Sequence, residues 1–76
     1  MIRFFFDYTT KDQSLFDYRG HDFRSPHGAL DFAEAIVLDL KHSLQTDWSD
    51  WSVEVRNVEG KKIFSLPIGS SELRAA

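Results

Sequence analysis

Apolar and polar residues alternate along the first segment of the chain. One side of this segment consists of Ile2, Phe4, Phe6 and Tyr8, and the residues between them are Arg3, Phe5 and Asp7. A period of two is typical of a β-strand with one buried face. The polar stretch 9–13 predicts a loop that returns the chain into a second strand over 14–17. Together they predict a β-hairpin.

Two local signals separate this hairpin from a helix. Asp17-Tyr18-Arg19-Gly20 is typical of a type I turn, because Asp accepts bonds from the backbone ahead of it and Gly adopts left-handed backbone at low cost. A short extension over 21–23 follows. Ser25-Pro26 then predicts a helix start, since Ser can cap an unpaired N–H and Pro lacks that donor.

An apolar stripe with a helical period predicts one amphipathic helix after Pro26. The stripe consists of Ala29, Ala33, Ile36, Val37, Leu40 and Leu44. We expect Leu40 to be fully buried under the helix and Leu38 to be exposed. The small side chains of Ala29 and Ala33 predict a close approach of the helix to a sheet.

Two further strands complete the predicted sheet. Trp51, Val53 and Val55 alternate with polar residues, which indicates a third strand with one buried face. The turn over 57–60 ends in Gly60, where we expect left-handed backbone and a β-bulge. A fourth strand over 61–66 follows, and Pro67 predicts that it lies at an edge because proline cannot donate to a strand ladder.

The predicted fold class is α+β, with two layers: one helix against a four-stranded, mainly antiparallel sheet in a β-β-α-β-β order. A right-handed crossover and an edge position for Pro67 favour the strand order 2-1-3-4. A ubiquitin-like order, 2-1-4-3, is the alternative and would put Pro67 in a central strand. We expect a single domain over residues 1–68 and a frayed tail over 69–76.

Composition narrows the classes of function. The 76 residues include no Cys, so a disulfide scaffold and a cysteine nucleophile are excluded, and a reducing cytoplasm is the expected location. A net charge of −3 disfavours binding to nucleic acid, although weak binding through Arg56, Lys61 and Lys62 remains an alternative. The longest apolar run is too short to span a bilayer, and we expect neither an export signal nor a membrane anchor.

Several segments, in order along the chain, resemble an uncharacterised family of small bacterial proteins, a domain of unknown function. These segments are Arg3-Phe4-Phe5-Phe6-Asp7, Asp17-x-x-Gly20, Ala29 with Ala33, and Val53-Glu54-Val55-Arg56-Asn57-x-x-Gly60-Lys61. The chain departs from that pattern at Pro26-His27-Gly28, where the family has an acidic, alanine-rich first helical turn. The resemblance supports the α+β fold and implies no activity.

Three residues near the predicted helix start carry the only candidate chemistry. His21, Asp22 and His27 could ligate a divalent metal or act as acid and base, which would make the chain a small metal-dependent protein or enzyme. Their spacing matches no established motif, so solvated histidines beside a turn are the simpler interpretation. No catalytic motif or phosphate loop is present, and we expect no catalytic residues and no cofactor.

Two further features have a structural and a functional interpretation. Trp48 and Trp51 could frame an aromatic platform for a ligand, but core covering is the stronger interpretation in so small a domain. We expect Asp7 to face water or to pair with Arg3 on the outer side of the sheet.

The least expected feature is Phe5, because strand geometry places it on the sheet face that the single helix leaves open. Ile63 points to the same face, and either Leu15 or Phe16 joins them. An apolar patch of this kind, formed by Phe5, Phe16 and Ile63, is typical of an interaction surface. We therefore expect a non-enzymatic interaction or regulatory module, self-associating as a homodimer through this face or through a β-edge.

Overall fold

Five strands and one helix make up the fold in a computed structural model, which describes residues 1–69. The elements are β1 (Ile2–Thr9), β2 (Ser14–Leu15), β3 (His21–Phe23), α1 (Pro26–Lys41), β4 (Ser52–Asn57) and β5 (Lys62–Pro67). The predicted α+β class is confirmed. Within the described range, no helix combines the length and apolarity needed to cross a bilayer. Apart from Gly69, the tail expected to fray lies outside the described residues.

The strands form one antiparallel sheet in the order β2-β1-β4-β5, and β3 also pairs with β1. The predicted four-stranded order is thus corrected to five strands, because residues 21–23 resume pairing with β1 instead of forming a mere extension. The alternative, ubiquitin-like order is wrong. It would place β5 beside β1, whereas β4 lies there.

β2 and β3 are two halves of one hairpin arm, which we call the return arm (residues 14–23). Tyr8 pairs with Leu15, and Phe4 pairs with His21. Three residues of β1 lie between these pairs, whereas the return arm has five, 16–20. The two excess residues interrupt the ladder and form an irregular bulge over 16–20.

The core lies between α1 and the inner face of the sheet. Its buried apolar residues are Phe4, Phe6, Ala29, Ala33, Val53, Val55 and Ile68. Ala29 and Ala33 are fully buried, which confirms the close approach of the helix. Because these two alanines make the central contact, Leu40 lies at its margin and is half-buried, not fully buried as expected.

The predicted helix start is confirmed, but the helix is shorter than its apolar stripe suggests. The hydroxyl of Ser25 accepts a hydrogen bond from the Gly28 N–H at 3.4 Å, and Pro26 occupies the first turn. The helix ends at Lys41 with His42 as its C-cap, so Leu44 lies beyond it and is fully exposed. Leu38 is exposed, as predicted.

Ile68 is a core residue that the sequence pattern did not reveal. It follows Pro67 and is 1% exposed. Its backbone N–H donates to the carbonyl of Trp51 at 2.9 Å, which continues the pairing of β5 with the chain before β4. The last described residues therefore belong to the packed structure.

The β4–β5 turn has the predicted left-handed glycine, with a φ of 87° at Gly60. The Asn57 side chain accepts hydrogen bonds from the Glu59 and Lys61 N–H groups, both at 2.9 Å. The bulge predicted at Gly60 lies elsewhere. Arg56 pairs with Lys62 and Val55 with Phe64, so Ile63 is the extra residue.

Gly60→Val is expected to lower the free energy of unfolding by roughly 1 to 3 kcal/mol, because a β-branched residue is strained at this φ. A Cβ at Gly60 would meet nothing within 4 Å, so backbone strain is the source of the loss. Gly60→Asn should lower the free energy of unfolding by less, since Asn tolerates left-handed backbone. Urea denaturation of both variants tests this, and equal losses would contradict it.

Candidate functional site

The outer face of the sheet, turned away from α1, carries an ion pair between a buried carboxylate and a half-buried arginine. The Arg56 guanidinium donates from Nε to Oδ2 of Asp7 at 2.6 Å and from Nη2 to Oδ1 at 3.2 Å. Asp7 is only 4% exposed. Arg56 lies opposite Phe5 in the ladder, so its guanidinium reaches the next outer-face residue diagonally.

The expectation that Asp7 faces water or pairs with Arg3 is therefore wrong. Arg3 instead pairs with Asp22, which lies opposite it on β3, at 2.8 Å. That hydrogen-bonded partner raises the pKa of Arg3 and lowers the pKa of Asp22. β1 thus forms two separate ion pairs, one with β3 and one with β4.

The same ion pair extends into the bulge of the return arm through Asp17. Nη2 of Arg56 donates to the Asp17 carbonyl at 2.9 Å, and the Asp17 N–H donates to Oδ1 of Asp7 at 2.9 Å. We call Asp7, Asp17 and Arg56 the outer-face cluster. Its hydrogen bonds connect the bulge to β1 and β4, the two central strands.

The Asp17 carboxylate also organises the bulge itself, which confirms its predicted role as a turn former. It accepts backbone N–H bonds from Phe6 at 3.1 Å, Arg19 at 3.0 Å and Gly20 at 3.1 Å. Partial burial raises the pKa of Asp17, but the three donors and nearby His21 together lower it by more. The net shift of the Asp17 pKa is therefore downward. Asp17 therefore keeps its negative charge at neutral pH.

Charge interrupts the apolar surface expected on the outer face. The Arg56 guanidinium lies 4.8 Å from the ring centroid of Phe5 and 6.0 Å from that of Phe16, within range of cation–π attraction. Phe5 is consequently half-buried, while Phe16 is 53% exposed. Ile63 is exposed on β5, and β4 with Arg56 lies between it and Phe5.

A second carboxylate on the outer face, Glu54, engages the residues of β5. It lies opposite Asp7 and is 7% exposed. Lys62 Nζ approaches Oε1 of Glu54 at 3.3 Å, and the Ser65 hydroxyl donates to Oε2 at 2.9 Å. Arg56 and Lys62, two of the three basic residues considered for nucleic-acid binding, are thus paired with carboxylates, while Lys61 is exposed beside the turn; weak nucleic-acid binding stays a prediction.

The three candidate metal ligands do not come together. His21 and Asp22 are adjacent in a strand and point to opposite faces of the sheet. The Asp22 carboxylate pairs with Arg3, and His27 lies exposed on α1, 3.8 Å from Asp31. Within residues 1–69, no group of three or more His, Cys, Asp or Glu residues is placed to hold a metal ion.

An aromatic groove lies between α1 and the return arm, with a volume of about 510 Å³. It is lined by Phe6 and Tyr8 from β1, Phe32 and Ile36 from α1, and Leu15, Phe16, Asp17 and His21 from the return arm. The groove exists because β2 is only two residues long, so strand pairing with β1 stops at Leu15 and one flank of the helix is left uncovered.

Phe32 lies at the centre of the groove's aromatic contacts. Its ring centroid is 5.1 Å from that of Phe6, 5.0 Å from the His21 ring and 5.5 Å from that of Phe23. The side chain nevertheless remains 37% exposed. Sequence analysis missed this residue, although its position one turn before Ile36 places it at the edge of the apolar stripe.

The two tryptophans cover the other end of the core. The ring centroids of Trp48 and Trp51 are 5.2 Å apart, and Tyr8 meets Trp48 edge-on at 6.1 Å. All three pack against the core residues. A smaller cavity of about 260 Å³ beside Trp48 is lined mainly by residues 43–49, which follow α1. This placement favours core covering over a ligand platform.

Residues 3–69 match the model of a protein family described as Domain of unknown function (DUF6894). The match covers most of the chain, so the chain belongs to this family, and the resemblance to an uncharacterised family is confirmed. No curated protein and no solved structure matches the chain. The bacterial origin expected from the resemblance stays a prediction.

Proposed function

We propose that this member of the DUF6894 family is a non-enzymatic protein-interaction module that holds an apolar segment of a partner protein in the aromatic groove. The observation that carries this proposal is the groove itself, where Leu15, Phe16 and Phe32 are 52%, 53% and 37% exposed around one concavity. Contiguous exposed apolar surface marks a binding site far more often than scattered apolar residues do.

The openness of the groove to solvent favours a protein segment over a small molecule. Small-molecule sites bury roughly 70 to 90% of their ligand, whereas a ligand here would stay open to water beside Leu15 and Phe16. A partner chain can fill such a groove with one or two side chains and make further contacts outside it. Apolar grooves beside a helix are a recurrent form of peptide recognition.

The chemistry of the lining residues supports binding without catalysis. The carboxylate among the lining groups, that of Asp17, already accepts backbone N–H bonds within the bulge. A metal-dependent enzyme has no support from His21, Asp22 and His27, because they do not converge. A cytoplasmic location and the absence of a cofactor belong to the same proposal.

A foreign protein is favoured over a second copy of this chain as the occupant. The chain carries a net charge of −3, which opposes contact between copies. Among the described residues β5 is an outer strand of the sheet, and it ends in Pro67, a residue that disfavours strand-to-strand pairing. Self-association through the outer face or a β-edge, expected from the sequence, becomes a competing outcome of the experiment.

The experiment is a display selection of random 12-residue peptides against the immobilised full chain. Phe32→Ser removes the centre of the groove, and Leu38→Ser removes a matched exposed apolar residue elsewhere on α1. We expect selected peptides to contain apolar anchors and to bind the wild type and Leu38→Ser alike. Binding to Phe32→Ser should be weaker by roughly tenfold or more, the usual effect of losing an interface anchor.

Circular dichroism and urea denaturation of each variant separate lost binding from lost folding. If Phe32→Ser is unfolded, the milder Phe32→Ala variant takes its place in the same comparison. Equal weakening by the Leu38 variant, or peptides whose binding ignores Phe32, would overturn the proposal. A dimer in light scattering that Phe32→Ser dissociates would show that a second copy, not a foreign protein, fills the groove.

A further inference from the structure

The wall of the aromatic groove formed by the return arm carries negative charge. Asp17 lines the groove, and its outer-face cluster combines the carboxylates of Asp7 and Asp17 with one guanidinium, that of Arg56. The cluster therefore keeps one net negative charge. Neutral backbone N–H groups stabilise the Asp17 carboxylate without cancelling its charge.

The helix side of the groove continues with a second acidic residue. Asp39 follows Ile36 by three positions and Phe32 by seven, so all three lie along the same side of α1. Asp39 is exposed. In the turn that joins β1 to β2, Lys11 and Asp12 are adjacent and offset each other. The groove thus has an apolar base, one carboxylate, that of Asp17, in its return-arm wall, and Asp39 farther along the side of α1 that carries Phe32 and Ile36.

Resting on the proposed function, we infer that the partner segment is basic: it places an apolar side chain in the aromatic groove beside a lysine or arginine. Complementary charge fixes the orientation of such a segment and speeds its encounter with the domain. The net charge of −3 acts in the same direction at longer range. The described residues that line the groove include no lysine or arginine.

Three synthetic peptides with blocked ends test this inference by NMR titration of the full chain. They share a central phenylalanine and differ only in its two flanking residues, which are lysine, serine or glutamate. We expect the lysine peptide to bind roughly tenfold more tightly than the glutamate peptide at low salt, with the serine peptide between them. The difference should shrink as salt shortens the screening length to about 3 Å at 1 M.

Two charge-matched variants locate the responsible residue. Asp39→Lys and Glu34→Lys change the net charge equally, but Glu34 is exposed on the opposite side of α1. Asp39→Lys should weaken binding of the lysine peptide several-fold and leave binding of the serine peptide unchanged. Glu34→Lys should change neither by more than about twofold at physiological salt, because its charge lies farther from the groove and is screened.

The outcomes separate this inference from the proposed function. If the serine and lysine peptides perturb the groove amides with equal affinity, the basic partner is wrong and docking stands. If Glu34→Lys weakens the lysine peptide as much as Asp39→Lys does, overall charge is responsible and the local inference is overturned. If none of the three peptides perturbs groove amides at millimolar concentration, both proposals fail.

Discussion

Arg56→Ala is expected to lower the free energy of unfolding by about 3 kcal/mol or more, because it leaves a buried carboxylate without its cation. Asp7 is 4% exposed and receives two hydrogen bonds from Arg56. The same substitution removes the donor to the Asp17 carbonyl, so the bulge loses its attachment to β4. Urea denaturation followed by circular dichroism measures the loss.

Two variants show whether burial is the cause. Arg3→Ala breaks a pair of similar length whose side chains are 48% and 43% exposed, so its effect should be far smaller. Arg56→Lys keeps the charge but loses the two-pronged geometry and should fall between the wild type and Arg56→Ala. Comparable losses for Arg3→Ala and Arg56→Ala would show that Asp7 is not the source of the effect.

Gly20→Ala is expected to destabilise the fold by about 3 kcal/mol, from backbone strain and a steric contact together. Gly20 has a φ of 74° and closes the bulge of the return arm against β1. An added Cβ would lie 2.9 Å from the Phe4 carbonyl oxygen and 3.0 Å from Cγ of Arg3. The nearest neighbour is backbone of the central strand, which cannot move without disturbing the sheet.

Gly60→Ala is the matched control, because Gly60 has a similar φ of 87° but would give a Cβ open space. Gly60→Ala should lower the free energy of unfolding by about 1 kcal/mol, because only backbone strain opposes it. The difference between the two variants in urea denaturation therefore measures the close approach at Gly20. Equal losses would mean that β1 and the bulge separate easily.

The parts of the fold that sequence analysis predicted correctly are those with local signals. The alternation in β1, the Ser25-Pro26 helix start and the left-handed Gly60 each depend on a few neighbouring residues. Such signals act within one turn or one strand. The local conformations that they predict are therefore the same in the folded domain. The burial of Ala29 and Ala33 followed in the same way from helical spacing.

The parts that sequence analysis missed depend on register between distant segments. Asp7 finds Arg56 because β1 and β4 pair in one particular alignment, which no pattern within either strand specifies. β3 was overlooked because the return arm leaves the ladder and rejoins it with a shifted register. The groove depends on that same interruption, so neither its position nor the role of Phe32 could be read from a single segment.

The central position of β1 determines when this chain can fold during its synthesis. β1 leaves the ribosome before the other strands of this sheet, and an isolated hairpin with the return arm is at best marginally stable. Its other neighbour, β4, begins at Ser52, and the Asp7–Arg56 hydrogen bond joins residues 49 positions apart. At roughly 5 to 20 residues per second, the aromatic first strand stays uncovered for several seconds. Folding of the sheet is therefore a late event, and the nascent chain depends on that interval passing without aggregation.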